Sequence, residues 1–199
     1  MENIVIEIKK LTDWERVVNA ARFTQRKEGL GKEPSQEFKK QMIISEHSPL
    51  RLLEFDIKVY NIPYCNMGHF VRHVHAQPFV STSRPDITGS KVSRHDMPQD
   101  APVNMQLSLN AQEIINISRL RLCHKADKVT RSIWDKVVSG LSKIEPELAE
   151  ACQPQCIFKG FCSEWKCCGL IQSELYIERR KNLLSYFNVS VPKKSCIFD

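Results

Sequence analysis

The feature of this sequence that most restricts its fold is an alternation in residues 50–60, LRLLEFDIKVY. Apolar and charged side chains follow one another with a period of two, which is the pattern of a β-strand with one buried face. The apolar positions are Leu53, Phe55, Ile57 and Val59, and the charged ones are Glu54, Asp56 and Lys58. A half-buried strand is therefore expected here.

Helical patterns fill much of the remaining chain. Thr12 and Glu15 form a capping box before a helix that is expected to run to about Arg26. Ser35 caps a second, short helix. A third helix is expected from about Pro63, because proline suits the first position of a helix.

The longest helix is predicted to begin at Asn110, which forms a cap-like pair with Glu113. Its apolar residues recur at helical spacing over about thirty residues, a length at which a kinked helix is also compatible with the pattern. Residues 145–152 and 173–187 predict two further helices, and the alternation in residues 3–11 predicts another strand. We therefore expect an α+β protein that is mostly helical, with two or three strands.

Composition narrows the class of protein. The chain has 199 residues, 42% of them hydrophobic and 26% charged, which is typical of a globular protein. The net charge of +6 favours anionic ligands without requiring nucleic acid. No segment approaches the roughly 18 apolar residues of a membrane span, and the first ten residues lack a signal-peptide core. We expect a cytoplasmic protein without a membrane segment.

Five of the eight cysteines fall in residues 152–168, with the spacing C-x3-C-x5-C-x4-C-C. In a cytosolic protein such a cluster indicates reduced thiols or a metal site rather than disulfides. The paired CxxC of most zinc sites is missing, so no metal is predicted and zinc is kept as the alternative. The alternative ligands are Cys152, Cys156, Cys162 and Cys167.

Residues 72–84, RHVHAQPFVSTSR, combine two arginines, two histidines and three hydroxyls. Such a cluster is unfavourable to bury unless an anion pairs with it. Arginine holds phosphate through a planar fork, and Thr82 and Ser83 would add hydroxyl donors. For each arginine taken alone, a solvated surface position is the ordinary alternative. Taken together, the residues predict an anion site suited to phosphate.

The same segment resembles the signature of the flavin-dependent thymidylate synthases, the ThyX family, R-H-R-x2-S-x-N-x2-S-x-R. The matching positions are Arg72, His73, Thr82 in place of the last serine, and Arg84. Four other segments that resemble family motifs follow in the family's order: DWERVVNAARFT, EHSPLRLLEFDIKV, SRHDMP and NAQEIINISRLRLCHKAD. The segment CIFKGFCSEWKCCG is similar to a tail of some members, so the resemblance covers about residues 1–169.

The resemblance implies a set of site residues. Arg121 would face the pyrimidine ring of dUMP and favour its ionised form, which makes it the catalytic candidate. The implied dUMP-binding residues are His69, Arg72, Thr82, Ser83, Arg84, Arg94 and Arg121. The implied FAD-binding residues are Ser48, Arg72, His73, Val74, Asn110, Gln112 and Asn116.

The chain departs from the family mainly where the flavin would lie. Arg51 stands where the family has a glutamate, and a long insertion after Arg84 has shrunk to a few residues. The other replaced positions are Val74, Gln77, Phe79 and Gln112. The nucleotide half of the site is therefore better matched than the flavin half.

The resemblance also implies an architecture, namely long helices packed on a small, mostly antiparallel sheet. Residues 1–150 would form a nucleotide- and flavin-binding domain, and residues 151–199 a cysteine-rich loop and a helical tail. The implied reaction is reductive methylation of dUMP to dTMP, with methylenetetrahydrofolate as carbon donor, FADH2 as hydride donor and NADPH as reductant. The sites would lie between the subunits of a homotetramer.

Two other functions compete with this one. The altered signature and the shortened loop favour a related enzyme that modifies carbon 5 of a pyrimidine nucleotide differently, for example by hydroxymethylation. The basic charge and the cysteine cluster suggest a non-catalytic module that binds nucleic acid or zinc. Bound flavin would favour the synthase, and binding to nucleic acid that weakens steeply with salt would favour the module.

Overall fold

A four-stranded antiparallel sheet forms the framework of the computed structural model, which describes residues 4–189. The strand order is β1-β2-β4-β3, so β2 and β4 lie at the centre and β1 and β3 at the edges. β2 and β4 share the longest pairing, in which Ile57 stands opposite Leu107. The strands are β1 (Val5–Lys10), β2 (Glu54–Pro63), β3 (Gln77–Val80) and β4 (Pro102–Asn110).

One face of the sheet is buried, as the alternation of β2 predicted. Phe55, Ile57 and Leu107 are completely buried, whereas Lys58, which follows Ile57, is exposed. The register of β2 against β4 shifts between Val59 and Ile62, where Asn61 takes a left-handed backbone conformation with φ of 58°. A bulge of this kind bends a strand near its end.

Nine helices are found in the described part of the chain, and three of them make the main contacts with the sheet. The longest, α6, has 14 residues. Their bounds are α1 (Trp14–Phe23), α2 (Gln36–Ile44), α3 (Tyr64–Phe70), α4 (Pro85–Thr88), α5 (Ala111–Arg121), α6 (Lys128–Leu141), α7 (Pro146–Ala151), α8 (Gln155–Lys159) and α9 (Glu174–Tyr186).

The core lies between the sheet and α1, α3, α5 and α6. Phe70 stacks on Trp134 with a ring separation of 5.6 Å, which joins α3 to α6. The indole of Trp134 donates to Ser118 Oγ at 2.8 Å, and Ser118 in turn donates to the carbonyl of Ile114. The only polar atom of this buried ring is therefore satisfied, as burial requires.

Several predictions of secondary structure need correction. The single helix expected from Asn110 is two helices, α5 and α6, because the chain leaves the helix after Arg121 and Asp127 caps a new one through the amide of Thr130. The sheet has four strands rather than two or three, since β4 was not expected. Thr12 does not cap α1; it donates to the carbonyl of Leu52 and accepts from the amide of Glu54.

The expected caps of α2 and α5 are present. Ser35 accepts from the amide of Phe38, and Asn110 accepts from the amide of Glu113. The predicted division at residue 150 stays a prediction. In the structure Ile157 of α8 and Leu183 of α9 belong to the same hydrophobic core as the sheet. None of the helices within residues 4–189 is long and apolar enough to cross a membrane.

Candidate functional site

A cavity of about 360 Å³ opens where β3 ends and β4 begins. We call it the hydroxyl pocket, because five serine and threonine side chains line it together with one arginine. These residues are Ser81, Thr82, Ser83, Thr88, Ser90 and Arg94. Hydroxyls and a guanidinium are the side-chain donors that bind phosphate oxygens, so the pocket suits a phosphate-bearing ligand.

Local hydrogen bonds hold the two sides of the hydroxyl pocket in place. On one side, the amide of Ser81 donates to the carbonyl of Asn104, and the amide of Asn104 donates back to Ser81 Oγ. On the other side, the first amides of α3, from Tyr64 and Cys65, donate to the carbonyls of Ala101 and Gln99. The loop that carries Arg94 is thus tied to the start of a helix whose free amides need acceptors.

Three of the predicted dUMP residues, Thr82, Ser83 and Arg94, line the hydroxyl pocket. Arg84 does not line it. Its guanidinium makes two hydrogen bonds to the carboxylate of Asp86, at 3.1 Å and 2.6 Å, and both side chains are exposed. For Arg84 to reach a phosphate, this exposed ion pair would have to open, which requires little free energy.

A second cluster surrounds Arg121 at the end of α5. Its Nε donates to Nε2 of His73 at 3.1 Å, and Nδ1 of His73 lies 3.5 Å from the carboxylate of Glu113. Burial, followed by the positive charge of Arg72, lowers the pKa of Arg121. Guanidinium groups remain charged even when their pKa falls in this way, so Arg121 is a half-buried cation.

Neither Arg72 nor Arg121 has a carboxylate partner among residues 4–189. The terminal nitrogens of Arg121 also make no hydrogen bond to the described residues, since its one bond uses Nε. Two cations without carboxylate partners, one of them with a free donor fork, have the chemistry that suits an anion or an ionisable carbonyl compound. Of the predicted dUMP residues, His69 is half-buried on α3, just before this cluster.

A third feature is a small polar cavity of about 170 Å³ beside the start of α5, which we call the amide pocket. It contains three of the residues predicted to bind FAD, Asn110, Gln112 and Asn116, together with Arg51 and Glu113. Asn116 donates to Glu113 at 3.0 Å, and Gln112 donates to Asn116. The amide pocket and the Arg121 cluster therefore share Glu113.

The other predicted FAD residues are scattered. Ser48 is exposed in a short 3-10 turn before β2, and Val74 is 84% exposed. His73 is buried between Arg121 and Glu113, and Arg72 is exposed next to it. Of the predicted FAD residues, only Asn110, Gln112 and Asn116 line the same cavity within one chain.

The hydroxyl pocket and the amide pocket lie at opposite ends of β4. Val103 lines the first and Asn110 the second, and seven residues of strand separate them. At about 3.3 Å per residue the separation is about 23 Å. The two pockets of one chain are therefore too far apart to hold the phosphate and the base of the same mononucleotide.

The cysteine cluster contains no described metal site. No group of histidine, cysteine, aspartate or glutamate side chains within residues 4–189 could hold a metal ion. Cys152, one of the alternative zinc ligands, lies in the core, where its thiol donates to the carbonyl of Leu148 and burial raises its pKa to about 12. Cys162 and Cys167 lie on the surface loop that follows α8.

Sequence reasoning missed two groups of residues in these sites. Thr88 and Ser90 add hydroxyls to the first pocket, and the crowding of Ser and Thr in residues 81–90 was a usable signal. Glu113 was noted only as part of a helix cap. Its contact with His73 joins residues 40 positions apart, so no local sequence pattern could predict it.

Comparison with known proteins in sequence gives a partial match. No family model matches the chain. The flavin-dependent thymidylate synthase of Saccharolobus solfataricus is 32% identical over 65 residues, which cover 33% of this chain and 25% of that protein. The enzyme of the same name from Sulfurisphaera tokodaii gives the same identity and coverage. The match thus spans a quarter of the curated relatives.

Comparison of structures gives a match over most of the chain. The ThyX of Helicobacter pylori, solved with FAD and dUMP, has a TM-score of 0.60 at 16% identity and covers 74% of this chain and 99% of that one. The UMP/dUMP methylase PolB of Streptomyces cacaoi, bound with 5-Br dUMP, has a TM-score of 0.60 at 14% identity. The match covers 80% of this chain and 96% of that one. At these identities the likeness concerns the fold.

The fold is thus the α+β fold of the flavin-dependent thymidylate synthases, as predicted. The partial sequence match is also to flavin-dependent thymidylate synthases, the family whose motifs this sequence resembles.

Proposed function

We propose that this protein is an enzyme of the flavin-dependent thymidylate synthase type, which reductively methylates dUMP to dTMP. One observation carries the proposal. A phosphate-suited pocket with Thr82, Ser83 and Arg94, and a separate uncompensated cation at Arg121, occur on a fold shared with dUMP-binding proteins. The positions are those that the family motifs assign to the nucleotide.

In this proposal the hydroxyl pocket binds the 5′-phosphate of dUMP. Thr82 and Ser83 donate hydroxyl hydrogen bonds, and Arg94 supplies the positive charge. Arg121, held through Nε, directs its terminal nitrogens at the pyrimidine ring. A fixed cation next to the ring favours the ionised form of the pyrimidine, because opposite charge stabilises the anion. The ring becomes more nucleophilic at carbon 5 as a result.

The amide pocket suits part of a flavin cofactor. Asn110, Gln112 and Asn116 offer amide donors and acceptors, and Arg51 supplies a positive charge for a diphosphate. A volume of about 170 Å³ accommodates a fragment of FAD, so most of the cofactor would lie outside this cavity. When bound, FADH2 supplies the hydride for the reductive step, with NADPH as the external reductant and methylenetetrahydrofolate as the carbon donor.

The separation of the two pockets supports a site shared between chains. The Arg121 cluster shares Glu113 with the amide pocket, which lies about 23 Å from the hydroxyl pocket along β4. A mononucleotide is shorter than that, so the hydroxyl pocket of one chain would face the Arg121 cluster of another. We therefore propose a homo-oligomer, with the homotetramer expected from the family resemblance. The alternative chemistry, another modification at carbon 5 of a pyrimidine nucleotide, would use the same residues.

The proposed reaction is tested by incubating the purified protein with dUMP, methylenetetrahydrofolate, FAD and NADPH. We expect dTMP by mass spectrometry, and its formation should require all four components. Arg94→Ala and Arg121→Ala should each lower the rate by on the order of a hundredfold or more, because each removes a charge-assisted contact. Arg131→Ala, which lines neither pocket, is the matched control and should retain the wild-type rate.

Three other outcomes of these experiments would favour a different function. Formation of 5-hydroxymethyl-dUMP would replace methylation by hydroxymethylation at the same site. Absence of any product, in protein that binds FAD and is stabilised by dUMP, would contradict the synthase. Binding to single-stranded DNA that weakens steeply with salt, with no effect of dUMP on the melting temperature, would favour a nucleic-acid-binding module.

A further inference from the structure

Glu113 is a buried acid that the proposed reaction does not use directly. It is 3% exposed and lies in the first turn of α5. Its two carboxylate oxygens contact different partners, Oε1 facing Nδ1 of His73 and Oε2 accepting from Asn116. A buried carboxylate with two such contacts is a fixed hydrogen-bond acceptor.

The contacts of His73 determine where its proton lies. Nε of Arg121 carries a hydrogen and can only donate, so Nε2 of His73 must accept and be unprotonated. In the neutral ring the remaining proton is then on Nδ1, the nitrogen that faces Glu113. Arg121 thus donates a hydrogen bond to His73, and His73 in turn donates toward Glu113.

The electrostatic state of Glu113 agrees with this direction. Burial alone would raise its pKa, but hydrogen bonds from His73 and Asn116 outweigh burial and lower the pKa of the carboxyl. The ionised carboxylate is the stronger acceptor for Nδ1–H. His75 lowers the pKa of the Glu113 carboxyl further, and neither His75 nor Arg72 forms a described ion pair with it.

We propose that Glu113 is a positioning residue for Arg121, acting through the tautomer of His73. By holding the proton on Nδ1, Glu113 keeps Nε2 free to accept from Nε of Arg121. The guanidinium is then oriented by one nitrogen while its other two remain available to the ligand. With the opposite tautomer, Nε2–H would oppose Nε–H, and the guanidinium would turn away. This role rests on the proposed function of Arg121.

The tautomer can be measured without any enzymatic assay. Solid-state 15N spectra of histidine-labelled protein near neutral pH should show His73 protonated on Nδ1 and unprotonated on Nε2. The signal is assigned by its loss in His73→Gln, or in His73→Asn if the first variant does not fold. In Glu113→Gln, whose amide can donate to Nδ1, the signal should change to the Nε2–H tautomer.

The kinetic effect is measured on the same variant. Glu113→Gln should lower kcat by on the order of a hundredfold, as expected for a misplaced catalytic group, and should change KM for dUMP less than kcat. Glu145→Gln is the matched control, since Glu145 is also buried but contacts Trp14 and Lys10. It should lower the melting temperature without changing kcat or the His73 signal.

Two results would overturn the proposal: Nε2–H or doubly protonated His73 in the wild-type protein, or wild-type kcat in a folded Glu113→Gln variant. The proposed function fails separately. If the wild-type protein does not methylate dUMP while His73 shows the Nδ1–H tautomer and Glu113→Gln reverses it, the synthase activity is wrong and the orientation of Arg121 by Glu113 stands.

Discussion

Arg84 and Arg121 show how neighbouring groups decide what an arginine does. Both match positions that the family motifs assign to the nucleotide. In the structure Arg84 is exposed and paired with Asp86, whereas Arg121 is half-buried and donates to Nε2 of His73. Arg121 therefore presents an uncompensated charge, while the charge of Arg84 is balanced by a competing carboxylate.

Removal of that carboxylate should strengthen nucleotide binding. In Asp86→Asn, Arg84 loses its ion-pair partner and becomes free to reach the phosphate. Because exposed ion pairs contribute about 0.2–1 kcal/mol, the Kd for dUMP should fall by up to about fivefold, measured by calorimetry. Asp96→Asn, in the loop that follows α4 and outside any described ion pair, should leave the Kd unchanged. Weaker binding in Asp86→Asn would show that Asp86 itself contributes to the site.

At the scale of elements, the break between α5 and α6 is the feature that places Arg121. The helix ends at Arg121, and α6 begins after Asp127, whose carboxylate accepts from the amide of Thr130 at 2.8 Å and from the side chain of Asn66 at 2.7 Å. Asn66 lies on α3, three residues before His69. Asp127 thus caps α6 and fixes α3, the helix that leads to His73.

Asp127→Ala should destabilise the protein by about 1 kcal/mol, the typical effect of losing an N-cap. The backbone hydrogen bond from Thr130 is the main cause that lowers the pKa of Asp127 in the folded protein. A lowered folded pKa means that the stabilisation is present above the unfolded pKa of about 3.9 and is lost as the pH falls through the folded pKa. Urea unfolding at pH 7 and at about pH 3 checks this: the difference between wild type and variant should shrink at the lower pH. An equal difference at both would mean that the charge is not involved.

For the whole molecule, the positions of the two pockets matter more than either pocket alone. The rigid pairing of β2 with β4 holds the hydroxyl pocket and the amide pocket at opposite ends of the sheet. A single chain cannot bring them together without breaking this pairing. Association of chains is the simpler way to complete a site, because symmetric oligomers place different surfaces of identical subunits in contact.

Mixing two inactive variants tests this arrangement. Arg94→Ala and Arg121→Ala should each be inactive alone. When they are unfolded, mixed in equal amounts and refolded, about a quarter of the shared sites should receive Arg94 from one chain and Arg121 from another, if chains assemble at random. About a quarter of the wild-type dTMP synthesis should return. No recovery, in mixed oligomers confirmed by native mass spectrometry, would place the whole site within one chain.

The sequence by itself determined the elements whose signals are local. The alternation of β2 and the caps at Ser35 and Asn110 depend on neighbours within a few residues, and all three are present. The family motifs, which are also read locally, indicated the fold. The alternation of β4 was present in the sequence as well, with Val103, Met105, Leu107 and Leu109 buried, and was overlooked.

Only the tertiary structure decided the interactions between distant segments. The hydroxyl of Thr12 hydrogen-bonds to the carbonyl of Leu52 and the amide of Glu54 rather than capping the helix that follows it, because the fold brings these two backbone groups beside it. Arg121 meets His73 across 48 residues. Such contacts depend on how the sheet and helices pack, and no local pattern encodes the distance between two side chains that are far apart in the chain. The orientation of Arg121, and the separation of the two pockets along β4, are therefore properties of the folded molecule.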